Sequence, residues 1–253
     1  VKARPGARMV RASPYKAPMS SDPDASSPPG RRPLRSFGRI KSRALKPRQA
    51  ALFDTLLPAV AVPDPKSGPI DPQTLMPGAR EVWLEIGFGG GEHLAAQAGR
   101  HPDALMIGCE PFLNGVGSAL RHIDEGGLKN VRIHADDARE VMAALPEASL
   151  DRVMILFPDP WHKARHNKRR LVQDEFAAEI VRLLKPGGRL RFVTDWKDYA
   201  DWALERFERA PGLEWTADRA DDWRVAPEDH VVTRYEEKKL GDTAPIFLDF
   251  IRV

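Results

Sequence analysis

Residues 157–170 are Phe157-Pro158-Asp159-Pro160-Trp161-His162-Lys163-Ala164-Arg165-His166-Asn167-Lys168-Arg169-Arg170, and they directly follow an apolar run that begins at Val153. The apolar run predicts a buried strand, and the two prolines end it because proline has no N–H to donate to a sheet. Asp159 is therefore expected in a rigid turn just past the carboxyl end of a strand. In open α/β sheets, ligands bind at this edge.

The residues after this turn combine aromatic and basic side chains. Trp161 and two histidines stand among five Lys or Arg residues. Rings that stack on bases and cations that neutralise phosphates are typical of a nucleic-acid surface. Most charge runs are solvated loops, which is the alternative interpretation. We favour the nucleic-acid surface because the block follows a strand end, and the adjoining carboxylate indicates chemistry on a nucleic acid.

Strand and helix patterns alternate on both sides of this stretch. Strands are predicted at 82–86, 105–109, 131–134, 150–157, 190–194, 213–216 and 246–252. Helices are predicted at 50–57, where Pro58 would end the helix, and at 92–99, 113–125, 171–184 and 199–210, with a short helix ending at Leu145. The alternation predicts an α/β fold, a doubly wound, mostly parallel seven-stranded sheet with helices on both faces.

Length and composition limit the class of protein. The chain has 253 residues, of which 42% are hydrophobic and 30% charged, as in ordinary globular proteins. The sequence contains no apolar run near the roughly 18 residues of a membrane span, so we expect no membrane association. The single cysteine, Cys109, excludes an internal disulfide framework and a cysteine-rich zinc site. We therefore expect a cytoplasmic protein without a bound metal.

The charge is unevenly distributed along the chain. Residues 1–50 carry thirteen Lys and Arg against two Asp, a net charge of +11, which leaves −8 for the remainder. Such a basic arm is suited to holding a polyanion. We predict a disordered basic extension at 1–32, a basic N-terminal segment and linker at 33–80, and the folded domain at 81–253. The Arg- and Ser-rich start also resembles an organelle transit peptide, which is the alternative.

A glycine-rich turn, Gly87-Phe88-Gly89-Gly90-Gly91, follows the first predicted strand. Glycine lets the backbone approach a ligand closely, because it lacks Cβ and tolerates positive φ. Alone the turn is weak support for a ligand site, since many α/β turns are glycine-rich for packing.

Acidic residues at the ends of five predicted strands strengthen the case: Glu85, Glu110, Asp137, Asp159 and Asp195. Glu110 is placed to take two ribose hydroxyls, Asp137 to accept from an adenine amino group, and Glu85 to face a positive group of the ligand. The pyrophosphate of a dinucleotide would be repelled by these acids, which disfavours a nicotinamide-dependent oxidoreductase. S-adenosylmethionine, with its sulfonium, ammonium and ribose, suits them. We expect one or two of these acids to cap helices instead.

Residues from about 81 to 253 resemble the bacterial tRNA (guanine-N7)-methyltransferases of the TrmB type, a class I S-adenosylmethionine-dependent family with a Rossmann-like fold. The Pro-Asp-Pro-Trp-His-Lys block at 158–163 and the Thr-Arg-Tyr-Glu segment at 233–236 are the most specific matches. Further matches are Glu85-Ile86-Gly87-Phe88-Gly89-Gly90-Gly91, Gly108-Cys109-Glu110, Asp136-Asp137-Ala138 and Thr194-Asp195-Trp196. The stretch from Arg35 to Leu57 is similar to the N-terminal segment of the family.

The resemblance implies roles for several of the matching residues. It implies S-adenosylmethionine contacts at Glu85, Gly87, Gly89, Glu110, Asp137 and Asp159. It implies substrate contacts at Lys163, Asp195, Thr233, Arg234, Tyr235 and Glu236. It implies an RNA-facing stretch formed by Arg165, His166, Asn167, Lys168, Arg169 and Arg170. We expect Asp159 to be the catalytic residue, as a fixed carboxylate near the base.

The function implied by the resemblance is methyl transfer to N7 of guanine-46 in the variable loop of tRNA. The residue patterns alone would indicate only methyl transfer to RNA. Another RNA or small-molecule methyltransferase of the same fold, or a non-catalytic RNA-binding relative, stays open as the alternative. The expected partner is tRNA, and the protein is expected to be a monomer or a homodimer.

Overall fold

The structure is a computed structural model that describes residues 44–253. The predicted extension at 1–32 and the beginning of the 33–80 segment lie outside this range. The domain boundaries therefore remain predictions.

A seven-stranded sheet forms the centre of the described chain, in the order β3-β2-β1-β4-β5-β7-β6. Its strands are β1 (Glu81–Ile86), β2 (Ala104–Cys109), β3 (Val131–His134), β4 (Leu150–Leu156), β5 (Leu184–Thr194), β6 (Leu213–Trp215) and β7 (Ile246–Arg252). Strands β1 to β5 pair in parallel, whereas β7 runs antiparallel to both of its neighbours. The prediction of a doubly wound, mostly parallel sheet is confirmed.

Helices precede, connect and flank the strands. They are α1 (Pro47–Thr55), α2 (Leu57–Val60), α3 (Pro72–Leu75), α4 (Glu92–Arg100), α5 (Leu113–Gly126), α6 (Ala138–Ala144), α7 (Asp174–Leu183), α8 (Lys197–Arg209) and α9 (Asp221–Arg224), with 3₁₀ helices at Ala164–Arg169 and Glu236–Lys238. Helix α5 ends at Gly127, which has the left-handed φ of 59° that such an end requires.

The sheet separates two apolar cores, because successive side chains of a strand point to opposite faces. Trp83 packs under α1, α4 and α5 on one face, and the next residue, Leu84, packs under α6, α7 and α8 on the other. We call the face that carries Trp83 the α4 face.

The segment before β1 departs from the sequence prediction at its prolines. The first helix begins at Pro47, and Pro58 lies in the first turn of α2 instead of ending a helix. Both positions suit proline because the N–H groups of a first turn have no partner within the helix.

The proline-rich stretch after α2 packs on the domain and is not a free linker. The N–H of Val62 donates to the Ile133 carbonyl and that of Ile70 to the Ala144 carbonyl, both at 2.9 Å. Both side chains are buried. Residues that look like a linker by composition are thus part of the fold.

Residues 225–241 cross the α4 face between α9 and β7, and we call this segment the strap. It contacts strands β4, β5 and β7. The carboxylate of Asp229 binds Arg152 of β4 and Arg191 of β5. The ring of His230 packs edge-on against Phe247 of β7, with the centroids 5.1 Å apart.

None of the helices within residues 44–253 combines the length and the apolar character needed to cross a membrane.

Candidate active site

The glycine turn after β1 leaves space beside the strand ends. Gly87 and Gly89 have φ values of 73° and 55°, and a Cβ atom built on either would meet no atom within 4 Å. The start of α5, in contrast, touches the turn, since a Cβ on Gly115 would lie 2.2 Å from the Gly89 carbonyl oxygen. The turn is therefore open on one side and supported by α5 on the other.

Glu110, at the end of β2, is held against this turn by two backbone groups. Its carboxylate accepts from the N–H of Gly89 at 2.8 Å and from that of Phe112 at 2.9 Å. Burial raises the pKa of Glu110, and the nearby carboxylates of Asp159 and Glu85 raise it further against these two hydrogen bonds. Glu110, Glu85 and Asp159 thus lie at the carboxyl ends of the neighbouring parallel strands β2, β1 and β4.

Glu85 lies in the middle of the sheet, and its side chain is 2% exposed. One carboxylate oxygen is 2.7 Å from Nδ1 of His93, which is equally buried in α4.

Asp137, at the end of β3, caps α6, as expected for a minority of these acids. It accepts from the backbone N–H of Arg139 at 3.0 Å and binds the Arg139 guanidinium through both carboxylate oxygens. Burial opposes ionisation, but the side-chain and backbone bonds from Arg139 outweigh it, so the pKa of Asp137 is below its usual value.

Asp159 lies in the turn after β4 and is exposed to solvent. The residues on either side of the Pro-Asp-Pro turn, Phe157 and Trp161, have positive φ values of 50° and 43°. Such conformations cost about 1–3 kcal/mol each in residues other than glycine and concentrate at functional sites. The surrounding protein desolvates the carboxylate partially and raises the pKa of Asp159.

Asp195 follows β5 and is buried against the end of the strap. Its carboxylate lies 3.5 Å from the Tyr235 hydroxyl, and its carbonyl accepts from the N–H of Thr243. A Cβ on Gly241 would lie 2.3 Å from Cγ of Asp195, so only glycine allows this approach. Burial raises the pKa of Asp195. The Tyr235 ring also packs on Phe157, which brings the strap to the Asp159 turn.

The predicted RNA-facing stretch lies in the 3₁₀ helix Ala164–Arg169, which begins five residues after Asp159, except for Arg170, which follows the helix. Lys163, Arg165 and Lys168 are exposed, while His166, Asn167 and Arg169 are partly buried. Arg169 lies over the Trp161 ring at 5.1 Å, and the edge of that ring meets His166. Partial desolvation and the charges of Arg169, Arg165 and Lys163 lower the pKa of His166. The loop therefore presents concentrated positive charge.

Arg170 differs from the other residues of this stretch because its side chain is 1% exposed. Its Nε donates to the Pro160 carbonyl at 2.9 Å, a second nitrogen binds the carboxylate of Asp198, and the guanidinium lies over the rings of Tyr199 and Trp202. Arg170 thus fastens the loop to α8 and does not face outward, contrary to the expected RNA contact.

The Thr233–Glu236 part of the strap is held by a local network. The Thr233 hydroxyl accepts from the N–H of Glu236 at 3.3 Å, and the Glu236 carboxylate lies 2.8 Å from Nε2 of His230. Arg234 is exposed.

Four polar residues of this region, His93, Gln97, Asp229 and His230, were not predicted from the sequence. The only sequence signal is in α4, where His93 and Gln97 are spaced four residues apart on an otherwise apolar face. Within residues 44–253, no group of three or more His, Cys, Asp or Glu side chains is arranged to hold a metal ion.

Known proteins resemble this chain along most of its length. Residues 79–247 match the model of a family described as putative methyltransferases. A tRNA (guanine-N(7)-)-methyltransferase from Caulobacter vibrioides is 65% identical over 220 residues, which cover 87% of this chain and 96% of the relative. A protein of the same name from Hyphomonas neptunium is 51% identical over 217 residues, covering 86% and 99%.

Solved structures share the fold at low sequence identity. The 16S rRNA (adenine(1408)-N(1))-methyltransferase from Catenulisporales acidiphilia has a TM-score of 0.51 and is 22% identical, with 73% of this chain and 94% of that chain covered. A mutant of that enzyme, solved with cosubstrate SAM, has a TM-score of 0.53 at 20% identity, covering 73% and 92%. These structures support the sheet topology, whereas the assignment rests on the 65% identity and the family match. The chain belongs to the bacterial tRNA (guanine-N7-)-methyltransferases of the TrmB family.

Proposed function

We propose that this protein transfers a methyl group from S-adenosylmethionine to N7 of a guanine in tRNA. The observation that carries the proposal is the position of Asp159. This one residue belongs both to the acid-lined crevice at the strand ends and to the start of the basic loop at 161–170. A cationic methyl donor on one side and a polyanionic acceptor on the other can therefore meet beside a single carboxylate.

The residues of the crevice fit S-adenosylmethionine in shape and charge. The space beside Gly87 and Gly89 admits a ligand close to the backbone. Glu85, Glu110 and Asp159 concentrate negative charge there, which favours a cation without phosphate groups. We assign cofactor binding to these five residues and to Asp137, which the structure holds in a fixed orientation through Arg139. When bound, the cofactor supplies a methyl group on a positively charged sulfur.

The chemistry needs little acid–base assistance from the protein. N7 of guanine carries an in-plane lone pair, so it attacks the methyl carbon in line while the bond from carbon to sulfur breaks. Positive charge moves from the sulfur to the purine ring in this step. Asp159 stabilises that charge as a fixed carboxylate, which is the electrostatic role that we assign to it. Positioning the two reactants can itself remove about 7–11 kcal/mol of the barrier.

The tRNA is held by the loop and the strap. Lys163, Arg165 and Lys168 are exposed and are assigned to backbone phosphates. We assign Asp195, Thr233, Arg234, Tyr235 and Glu236 to the base, because a carboxylate can accept from the guanine N1–H and amino group. The deep, narrow major groove of A-form RNA hides N7, so the target guanine must lie in a loop or be splayed out.

We further propose guanine-46 of the variable loop as the target. On this proposal the protein acts in the cytoplasm on tRNA, without a metal, as a monomer or homodimer. Light scattering of the purified protein with and without tRNA distinguishes the two oligomeric states.

The decisive test is transfer of label from methyl-labelled S-adenosylmethionine to unmodified tRNA, followed by nucleoside analysis. We expect labelled 7-methylguanosine. A transcript in which guanine-46 is replaced by adenine is the control for position, and it should accept no label.

Other outcomes identify the alternatives. Label on another nucleoside of tRNA would keep the cofactor but overturn the proposed target atom. No label on tRNA, with binding of S-adenosylhomocysteine demonstrated by calorimetry, would favour a small-molecule methyltransferase or a non-catalytic RNA-binding protein.

A further inference from the structure

A buried line of polar side chains runs from the glycine-turn crevice to the strap. It begins at Glu85, passes through His93 and Gln97 of α4, and reaches the backbone of Asp229. The three bonds measure 2.7 Å from Glu85 to His93, 3.1 Å from His93 to Gln97 and 2.7 Å from Gln97 to the Asp229 carbonyl. The side chains of His93 and Gln97 are buried beneath α4, where apolar residues are the rule.

The direction of each hydrogen bond follows from its chemistry. The Asp229 carbonyl can only accept, so the Gln97 group beside it is the amide nitrogen, which donates. The same nitrogen faces Nε2 of His93, which must therefore accept. The proton of a neutral His93 is then on Nδ1, from which it is donated to the Glu85 carboxylate. The line thus fixes one tautomer of His93 and one orientation of Glu85.

The far end of the line is anchored firmly. The Asp229 carboxylate binds Arg152 at 2.9 Å and Arg191 at 2.6 Å, and its carbonyl also accepts from Arg100 at 2.9 Å. The next residue, His230, binds the carboxylate of Glu236 at 2.8 Å. The connection therefore continues along the strap to a residue that the proposed function assigns to the guanine.

We propose that His93 and Gln97 are positioning residues for methyl transfer. His93 orients Glu85 toward the cofactor, and Gln97 fixes the strap, with Glu236, relative to the cofactor site. The two halves of the active site are thereby held in one relative geometry, although they lie on segments more than a hundred residues apart. This inference rests on the proposed function for the identity of the two ligands.

Stability alone does not explain Gln97. Among the residues that the structure describes, its buried Oε1 has no hydrogen-bond partner. A buried polar atom without a partner is destabilising, which offsets part of the stability that the two bonds of the Gln97 amide nitrogen contribute. The change Gln97→Met removes both bonds and leaves the buried Nε2 of His93 without a donor. A purely structural role therefore predicts a lower melting temperature with unchanged kinetic constants of the folded protein, whereas a positioning role predicts a lower kcat/KM as well.

The first experiment separates the two bonds of His93. Asparagine in the change His93→Asn retains a donor near the position of Nδ1 but loses the acceptor for Gln97, whereas His93→Leu loses both. We expect His93→Leu to weaken S-adenosylhomocysteine binding about tenfold or more, because a hydrogen bond to a charged group is lost. His93→Asn should bind it within about threefold of the wild type.

The second experiment tests the link to the strap by kinetics. At saturating cofactor, Gln97→Met and His93→Asn should each lower kcat/KM for tRNA by about 2–10-fold, as expected for one neutral hydrogen bond. The double variant should be no worse than either single variant, since both changes break the same link. These constants are measured at a temperature at which each variant is folded, because Gln97→Met also leaves the buried Nε2 of His93 without a donor.

Asn130→Ala provides the structural control. Asn130 precedes β3, and its amide nitrogen lies 2.9–3.1 Å from the carbonyl oxygens of Ala98, His101 and Ala104, between the end of α4 and the start of β2 and away from the crevice. This variant should lose stability and keep its kinetic constants at a temperature where it is folded.

Two results would overturn the inference. One is multiplicative effects of the two kinetic variants; the other is a normal kcat/KM of Gln97→Met at a temperature at which it is folded. Failure of the proposed function is distinguishable, because it would appear as a wild type that does not methylate tRNA, while the effect of His93→Leu on S-adenosylhomocysteine binding would still be measurable.

Discussion

Asp159 is the residue at which the acid crevice and the basic loop meet. The turn that carries it is bounded by two residues with positive φ, Phe157 and Trp161. Arg170 binds the Pro160 carbonyl and the carboxylate of Asp198, and so fixes the turn to α8. A carboxylate held in this way needs little reorganisation when charge develops next to it, which is the condition for electrostatic catalysis.

Replacing this carboxylate by its neutral isostere should abolish most of the activity. We expect Asp159→Asn to lower kcat by about 10²–10³-fold, the usual effect of removing one preorganised electrostatic group. Binding of tRNA in a filter assay should stay within about threefold. The control is Asp201→Asn, which loses only a surface pair with Lys197. Near-normal turnover of Asp159→Asn would remove this residue from the catalytic role.

Arg170 and Lys168 should respond differently to substitution although both belong to the basic block. Lys168 is exposed and Arg170 is buried against Tyr199 and Trp202. We expect Lys168→Gln to reduce the salt dependence of tRNA binding, with a change of roughly 1 in the slope of log K against log salt concentration. Arg170→Lys should leave that slope unchanged but lower kcat, because lysine cannot bind Pro160 and Asp198 together. A reduced slope for Arg170→Lys would indicate that Arg170 contacts a phosphate of the tRNA.

The sequence pattern predicted some of these residues and missed others. Acids that follow predicted strands indicated the crevice, because the carboxyl ends of parallel strands meet at one edge of the sheet. The pattern did not separate Arg170 from its exposed neighbours, since the two differ only in what α8 places beside them. His93 was missed for the same reason. Its partner Glu85 lies in β1, eight residues earlier and across the glycine turn, and no local sequence pattern pairs the two residues.

Among the elements, the glycine turn and α5 depend on each other. The backbone of α5 at Gly115 approaches the Gly89 carbonyl so closely that no side chain fits between them. The same turn donates the Gly89 N–H to Glu110. A displacement of α5 should therefore disturb both the turn and the acid beside it.

Two glycine-to-alanine changes test this dependence. A Cβ on Gly115 would lie 2.2 Å from the Gly89 oxygen, whereas one on Gly99 of α4 would be 3.9 Å from its nearest neighbour, an ordinary contact. We expect Gly115→Ala to weaken S-adenosylhomocysteine binding by about tenfold or more and to lower stability by about 1–3 kcal/mol. Gly99→Ala should bind normally and be equally or more stable, since alanine favours helix. Calorimetry and urea unfolding measure both quantities, and equal behaviour of the two variants would contradict the argument.

The strap should make stability depend on pH through Asp229. Burial opposes its ionisation, but the bonds and charges of Arg191 and Arg152 lower the pKa of Asp229 below its usual value. The folded state thus binds this proton less tightly than the unfolded state, so the stabilisation is present above the ordinary aspartate pKa of about 3.9 and is lost as the pH falls through the folded-state value. The difference in unfolding free energy between the wild type and Asp229→Asn should be about 1–3 kcal/mol at pH 7 and shrink toward zero in acid. A difference that does not vary with pH would exclude this origin.

Elements whose apolar period is regular were predicted from the sequence, and β3 and β7 have the predicted bounds. The strap was not predicted. It has no regular period, and polar pairs such as Asp229 with Arg152 and Arg191 hold it to the sheet. Proline content likewise made the end of the 33–80 segment look like a linker, although Val62 and Ile70 pack on the domain. Composition indicates the local conformational preference of a segment, but it does not show which distant strands and helices the segment contacts.

At the scale of the whole molecule, opposite charges are separated along the chain. Residues 1–50 carry a net charge of +11 and the remainder −8. The acids of the crevice suit a cationic cofactor but repel RNA, and residues 51–253 have a net negative charge despite the exposed cations around Lys168. A basic arm would offset that repulsion and increase the rate of encounter with tRNA.

Removing the extension at residues 1–32 should therefore affect capture of tRNA and leave the chemical step unchanged. This stretch contains seven Lys and Arg against two Asp. We expect its deletion to raise KM for tRNA several-fold at about 50 mM salt and hardly at all at about 300 mM, because electrostatic attraction is screened. The matched control keeps the length and replaces the seven basic residues by glutamine. If charge is the cause, this variant behaves like the deletion, with kcat unchanged in both. A glutamine variant that behaves like the wild type, or a deletion that lowers kcat, would show that the extension acts through something other than its charge.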